Sequence, residues 1–326
     1  MPRIAVVTTG GTISMRYDPA LGGAVPAVSG TELLEMVPGI GEVGSIELVE
    51  FSNVPSCHLT PAMMFELCHV VQNTLDRSDI DGAVVTHGTD ALEETAYMAD
   101  LWVHSDKPLV FTAAMRNNSE MGADGPRNVL AAVRVASCAD AYGLGALVVF
   151  NGHILAARDT IKMHTSNLDA FRSPMHGPLG NVDDDAVVIF RRSRVRQSIR
   201  PERIVPKVEL LRTYAGMDSA HMLWSLGQGS NGLVIEAMGQ GNVPPETMPG
   251  IRAWLDADKP VVLVSRCPEG RALDTYAYEG GGKQLRNMGV IFGEDLTGQK
   301  ARIKLMLALG LTGDVDEIRG MFEYLA

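Results

Sequence analysis

The sequence predicts an α/β protein of two domains: a larger N-terminal domain with a mostly parallel sheet flanked by helices, and a smaller C-terminal α/β domain. Three observations carry this. The chain has 326 residues, 46% hydrophobic and 21% charged, and single hydrophobic cores stop growing at about 250–300 residues, so two cores are expected. Short β-branched apolar runs alternate with helix-like segments, the order that gives parallel strands joined by right-handed crossovers. The 34 glycines and 17 prolines fall in short turn-like clusters along the chain, without low-complexity tracts or a fixed-period repeat, as many short connections require.

Residues 4–8, Ile-Ala-Val-Val-Thr, form a buried strand that runs into Gly10-Gly11 and then Thr12. Residues 15–30 carry Pro19, Gly22, Gly23 and Pro26 and no periodicity, which predicts a mobile connection beside a strand end, placed as a lid would be. Thr60-Pro61, followed by Met64, Leu67, Val71 and Leu75, supplies an N-cap, a proline at the first helical position and an apolar stripe at helical spacing. A strand over 83–86 exits through His87-Gly88-Thr89-Asp90 into a helix starting near Ala91. A third strand covers 109–114, Pro126 opens a helix through Ala141, and a fourth strand covers 146–150. The N-terminal domain is placed at 1–190, a polar, proline-bounded and solvated linker at 191–206, and the second domain at 207–326. There the alternation restarts: a strand at 233–235, a helix near 249–256, a strand at 261–265, and helices over 299–309 and 315–324.

Composition excludes several function classes. A formal net charge of −11 argues against a nucleic-acid partner, because phosphate binding needs a basic face that exists only locally, around 191–203. The chain passes from Met1 straight into an apolar strand, which predicts no secretory signal. No run reaches the roughly 18 apolar residues of a membrane span, so no membrane partner is expected. Cys57, Cys68, Cys138 and Cys267 lie far apart with no Cys-x-x-Cys pair, which fits reduced thiols and a cytoplasmic location. Eight scattered histidines form no His-Glu-x-x-His helix, so neither a metal nor a cofactor is predicted. Gly10-Gly11 also lacks the Gly-x-Gly-x-x-Gly spacing of a dinucleotide site.

Chemistry points to two loops, Thr8-Thr9-Gly10-Gly11-Thr12 and Thr86-His87-Gly88-Thr89-Asp90. Both follow strands, and open parallel sheets bind ligands outside the carboxyl ends of their strands, so both should face one crevice. Glycine lets the backbone approach a ligand, and a following hydroxyl can attack an acyl carbon once a base takes its proton. Taken singly, each loop has a plainer reading: Asp90 with Glu93 matches a capping box, and Thr12 after two glycines suits a turn.

Together the segments resemble a family. Thr9-Gly10-Gly11-Thr12-Ile13 and the stretch from His87-Gly88-Thr89-Asp90 through Glu93-Glu94-Thr95-Ala96 look like the two signature segments of bacterial-type L-asparaginases and glutaminase-asparaginases. The likeness continues in Ala114-Met115-Arg116, Asp124-Gly125-Pro126-Arg127-Asn128, Ala157-Arg158-Asp159 with Lys162, Phe171-Arg172-Ser173-Pro174 and residues 289–309, covering nearly the whole chain. The resemblance implies that Thr12 is the nucleophile, attacking a side-chain amide carbon to form an acyl-enzyme and release ammonia. It implies that Thr89, Asp90 and Lys162 form a second cluster, the lysine easing deprotonation of a hydroxyl and the carboxylate holding the substrate's α-ammonium. Ser56 falls where the family binds the α-carboxylate, with Cys57 beside it; without that frame, Ser56 is a loop residue before a helix. Gly88 and Ala114 would offer backbone contacts to the reacting amide. Asn242 and Glu279 resemble segments that reach the active site of an adjacent subunit, which implies a homodimer or homotetramer with shared sites; by itself Glu279 reads as solvated.

Three positions depart from the family. Its lid tyrosine, about a dozen residues after the nucleophile, aligns with Gly23, and Tyr17 is the candidate substitute, otherwise an exposed loop tyrosine. Cys57 replaces a polar amide side chain, and Gly122 replaces a serine. These touch recognition more than hydrolysis. The expected function is hydrolysis of a small-molecule amide, L-asparagine first, with glutamine, a D-amino acid amide or a cyclic amide as alternatives. A non-catalytic amino-acid-binding protein is the reading from another class.

Overall fold

The computed structural model describes residues 1–193 and 196–323. The chain divides into two compact units, Met1–Ser198 and Ile199–Ala326. In the first, β1 (Arg3–Thr8) leads through a 3-10 turn into a hairpin of β2 (Met15–Asp18) and β3 (Gly23–Pro26). There follow α1 (Gly30–Glu35), α2 (Ile40–Val43), β4 (Ser45–Glu50), α3 (Pro61–Leu75), β5 (Gly82–Thr86), α4 (Leu92–Trp102), β6 (Leu109–Thr112), α5 (Gly125–Ala136) and β7 (Ala146–Phe150). Short strands complete it: β8 (His153–Ala156), β9 (Ile161–Lys162), β10 (Phe171–Arg172), β11 (Gly180–Asp183) and β12 (Ala186–Ile189).

Eight strands form the main sheet in the order β12-β11-β8-β7-β6-β5-β1-β4. From β4 to β7 every pairing is parallel. Strands β5, β6 and β7 are buried at every residue and β1 at all but Arg3, the signature of a sheet covered on both faces. Ile4, Val6, Val84, Val110, Leu147 and Val149 on one face join Val129, Ala132, Val133 and Ala136 of α5 in a single core cluster, while α3 and α4 pack on each other and on β5 to β7. Helix α3 begins as its sequence suggests, with Thr60 Oγ1 accepting the Met63 N–H at 3.3 Å and Pro61 in its first turn. The parallel order ends at β8, which pairs antiparallel with β7. Asn151 and Gly152 between them have φ of 48° and 80°, the left-handed pair that a tight two-residue hairpin needs.

The second unit carries a four-stranded sheet in the order β13-β14-β15-β16, parallel throughout: β13 (Val208–Arg212), β14 (Gly232–Ala237), β15 (Val261–Ser265) and β16 (Ile291–Phe292). Around it lie α6 (Ala220–Gly227), α7 (Met248–Asp256), α8 (Gly282–Asn287), α9 (Gly298–Leu311) and α10 (Val315–Phe322). Trp254 is fully buried in this core, its indole N–H donating to the Met222 carbonyl at 2.8 Å, so its one polar atom is satisfied.

Several expectations are corrected. Residues 15–26 are an ordered antiparallel hairpin rather than an irregular connection, pairing Tyr17 with Ala24 and Asp18 with Gly23. A full capping box at Ser29 and Glu32 then starts α1. The strand expected over 109–114 stops at Thr112, beyond which Ala113 gives its carbonyl to the Asn128 side chain. The helix expected through Ala141 ends at Ala136; Ser137 turns its hydroxyl back onto the Val133 carbonyl, and a separate 3-10 turn covers Ala139–Ala141. The final helix stops at Phe322, and Tyr324 lies outside the described residues. In the arginine-rich stretch, Arg194 and Val195 also lie outside them. Arg191, Arg192 and Arg196 are exposed, and besides facing solvent they donate to the carbonyls of Pro178, Tyr142 and Gly143. Among the described residues no helix is long and apolar enough to cross a membrane.

Candidate active site

Neighbouring strands β1 and β5 run in register, Thr8 opposite Thr86, so their exits emerge side by side. Thr9 continues the pairing: its backbone N–H and its hydroxyl both donate to the Thr86 carbonyl, at 3.1 and 3.0 Å. Gly10 and Gly11 then turn away with φ of 100° and 84°, a region costly for any side chain with a Cβ. Space forbids one as well. A Cβ on Gly11 would sit 2.2 Å from the Gly88 Cα, and one on Gly10 would sit 2.5 Å from the Val54 nitrogen. The two signature loops therefore touch backbone to backbone, and Thr12 and Thr89 each follow directly on a touching glycine.

The segment leaving β4 closes a third side. Gly11 N–H donates to the Val54 carbonyl at 3.0 Å, and Val54 N–H to that of Thr9 at 3.1 Å. Two residues on, buried Ser56 lies against Gly88, where a Cβ would meet its Oγ at 2.6 Å. The same Oγ accepts the Asp90 N–H at 3.1 Å. Cys57 follows in the 3-10 turn Ser56–His58 and is exposed.

Lys162, in β9, completes the cluster from a distant part of the chain. Its ammonium donates to Thr89 Oγ1 at 2.8 Å and to Asp90 Oδ1 at 2.7 Å. Thr89 is buried, the lysine side chain is 17% exposed and the Asp90 carboxylate 65% exposed, so the pair reaches from a dry hydroxyl to open solvent. The lysine backbone is fixed too: its N–H donates to Glu93 Oε2 at 2.9 Å. This settles the capping alternative. Helix α4 has Ala91 as its N-cap with no side-chain cap bond, and Glu93 holds Lys162.

His87, between the strand and Gly88, is fully buried, and burial pushes its pKa down to about 4. Its Nδ1 lies 2.8 Å from the Gly88 carbonyl, so in the neutral ring that nitrogen is the one carrying hydrogen. Ala114 is buried at the exit of β6, and a Cβ on Gly125 would touch both it and Ile13, at 3.6 and 3.0 Å.

The backbone that carries Thr12 thus lies beside Ser56, Gly88, Thr89, Asp90 and Lys162 at one end of the sheet, and Ala114 and Ile13 both lie beside Gly125. Tyr17 does not join them; it lies in β2 and is 53% exposed. Asn242 and Glu279 belong to the second unit, where they are near neighbours: Val243 N–H donates to the Gly280 carbonyl at 2.9 Å. Asn242 Oδ1 is buried with no hydrogen-bond partner, whereas Glu279 is exposed. Sequence reasoning missed Glu93 as a partner of Lys162, because the two are 69 residues apart and the local pattern offered only a cap. It missed the His87 ring as well, which the motif contains but no spacing explains. Chemically, the cluster offers three hydroxyls, an amine poised on one of them, a carboxylate open to a cation, and glycine backbone that a ligand can approach closely.

Comparison with known proteins fits this arrangement. The family model described as Asparaginase, N-terminal, matches residues 3–195, and that described as Glutaminase/Asparaginase C-terminal domain matches 207–322. The chain is 40% identical to the Probable L-asparaginase of Deinococcus radiodurans over 326 residues, 99% of this chain and 97% of that protein. It is 36% identical to the L-asparaginase of Bacillus licheniformis, covering 94% and 95% of the two chains. Among solved structures it is similar to the Probable Cytoplasmic L-asparaginase from Campylobacter jejuni, with a TM-score of 0.88, 31% identity and 99% of each chain covered.

Proposed function

This chain belongs to the asparaginase family, and from that premise we propose that it hydrolyses the side-chain amide of L-asparagine to L-aspartate and ammonia through an acyl-enzyme on Thr12. The observation that carries the proposal is the Lys162 ammonium, 2.8 Å from Thr89 Oγ1 and 2.7 Å from Asp90 Oδ1, beside loops whose Gly11 and Gly88 touch.

In the first half-reaction the Thr12 hydroxyl oxygen attacks the amide carbon, its proton ends on the departing nitrogen, and ammonia leaves an aspartyl ester on Thr12. In the second, water attacks the ester, aspartate leaves and the hydroxyl is restored. Thr89 and Lys162 act as a proton relay: once the ammonium has released a proton to solvent, its amine accepts the Thr89 hydroxyl proton while that hydroxyl takes one from the attacking water, which restores the ammonium, a role that needs the 2.8 Å contact already in place. The exposed Asp90 carboxylate pairs with the substrate's α-ammonium, and Ser56 with backbone N–H groups binds its α-carboxylate. Gly88 and Ala114 contribute backbone contacts to the reacting amide.

We place the protein in the cytoplasm, which agrees with four free cysteines and with the Campylobacter jejuni neighbour's description. The working form is a homodimer or homotetramer in which Asn242 and Glu279 serve a neighbouring subunit's site. The orphaned Asn242 Oδ1 favours this, since an unpaired buried acceptor costs about 1–3 kcal/mol. Exposed Cys57 beside Ser56 favours a second reading, in which glutamine or another amide is the better substrate, and the outward Tyr17 favours a third, binding without turnover. Ammonia release over asparagine, glutamine, a D-amino acid amide and a cyclic amide, run beside Thr12→Ala and Thr89→Val, tests all three. Turnover of asparagine lost in Thr12→Ala is expected; wild-type turnover in that variant overturns the nucleophile, and saturable aspartate binding with no ammonia from any amide supports the third.

A further inference from the structure

The segment 115–124, between β6 and α5, has no assigned role, yet it is braced internally and fastened to the nucleophile's turn. Asp124 accepts the N–H groups of Met115 and Arg116 at 3.1 and 2.9 Å and the Asn128 amide at 3.1 Å. The buried Asn117 donates to Glu120 Oε1 at 2.6 Å, and the Arg116 guanidinium to the carbonyls of Met121 and Gly122, both at 3.2 Å. The result is a stiff tongue rooted next to Ala114.

Its tip meets the chain just beyond Thr12. The Asn118 side chain donates to the Ile13 carbonyl at 2.7 Å, the Asn118 N–H to the Met15 carbonyl at 3.1 Å, and Ser119 Oγ accepts the Tyr17 N–H at 3.0 Å. Met15 and Tyr17 stand two apart in β2, so their bonds leave one edge of the strand while β3 pairs along the other, Met15 with Pro26 and Tyr17 with Ala24, and the Ile13 bond holds the 3-10 turn just before it. An isolated two-stranded hairpin is marginal in water; here the tongue supplies the third partner. It also fixes the carbonyl of Ile13, the residue after Thr12.

We infer that Asn118 and Ser119 are positioning residues, which hold the Thr12 turn and the β2–β3 hairpin in the arrangement that amide hydrolysis needs; this rests on the reading of Thr12 as nucleophile. Asn118 acts on the turn, and Ser119 on the strand that carries Tyr17. A shift of about 1 Å in a reacting group can cost roughly a hundredfold in rate, so loss of the Asn118 amide lowers kcat while leaving KM, which Ser56 and Asp90 govern, nearly unchanged.

The test uses the full chain as Asn118→Ala, Ser119→Ala and Ser119→Thr, with two readouts: kcat and KM for ammonia release from asparagine, and the rate of tryptic cleavage after Arg16 in β2. Expected are a kcat at least tenfold lower in Asn118→Ala with KM within threefold of wild type, and several-fold faster cleavage in both alanine variants, returned to the wild-type rate by Ser119→Thr, which keeps the accepting oxygen. A kcat within twofold of wild type in Asn118→Ala, a raised KM at constant kcat, or unchanged cleavage in both alanine variants overturns the inference. Ser119 is exposed, so that variant folds even where Asn118→Ala is impaired. If Thr12→Ala turns over like wild type, or no ammonia is released at all, the nucleophile reading has failed instead, and the cleavage rates alone decide whether the tongue braces the hairpin.

Discussion

Replacing Lys162 separates the relay from a merely structural cation. In Lys162→Met the bond to Asp90 is lost, but that carboxylate is 65% exposed, so the ion pair itself contributes at most about 1 kcal/mol to stability. The bond to Thr89 matters more, since that hydroxyl is buried and loses its partner, at a cost of about 1–3 kcal/mol. For a unit of this size each kcal/mol moves Tm by about 2–4 °C, so a drop of several degrees is expected and the variant stays folded at 25 °C. Removing a positioned base costs roughly 10²–10⁴ in rate, equal to about 2.7–5.4 kcal/mol of barrier. The kinetic loss should therefore exceed the stability loss. A coupled ammonia assay and thermal melts on Lys162→Met and Lys162→Arg measure both. Arginine keeps the charge but cannot give up its proton in a protein, so it should restore Tm and leave kcat/KM low. Lys162→Arg with near-wild-type turnover would refute the relay and leave a purely electrostatic role.

Thr89→Val should reduce kcat/KM by at least a hundredfold in the same assay while fluorescence titration shows aspartate still binding; equal losses of binding and rate would make Thr89 a substrate contact only. Gly11→Ala places a methyl 2.2 Å from the Gly88 Cα at a φ of 84°, so urea unfolding should register a loss above about 2 kcal/mol together with activity; a wild-type midpoint would contradict the close approach. His87 predicts a pH dependence. Its folded pKa lies near 4 because of burial, against about 6.5 for a free imidazole, so below 6.5 the unfolded chain binds the proton and the folded one does not. Stability is full above that value and falls as pH drops toward 4, by an amount on the order of 3 kcal/mol. Urea midpoints from pH 7 to 4.5 should fall less in His87→Gln than in wild type; parallel curves would remove His87 as the cause.

Legibility followed burial. Strands β1, β5 and β7 were readable because both faces are covered, leaving unbroken β-branched runs, and α3 because its cap, proline and stripe coincide. Strand β4, Ser-Ile-Glu-Leu-Val-Glu, is intermediate or exposed at every residue and leaves no comparable run. Strands β8 to β12 have two to four residues each, too few for a period. The Asn151-Gly152 turn that reverses the sheet was nevertheless a local signal, and it went unused. In the site, Thr12 announces itself as a hydroxyl straight after two glycines at a strand exit, and Thr89 and Asp90 do so because glycine, hydroxyl and carboxylate stand together in a second such loop. Lys162 was named only through the family likeness, since its partner Thr89 lies 73 residues away. Asn118 and Asp124 act on main-chain atoms, whose identity no side-chain pattern records.

The contact between Gly11 and Gly88 has a mechanical meaning. With no side chain at the joint, the parts have no soft matter to compress, so any displacement of one loop passes to the other almost undiminished. The two threonines that follow these glycines are thereby tied through backbone alone, a constraint separate from the one the tongue applies beyond Thr12. Adaptation to a new amide would then come from the periphery, at Cys57 or along the hairpin, because neither signature loop can be adjusted alone.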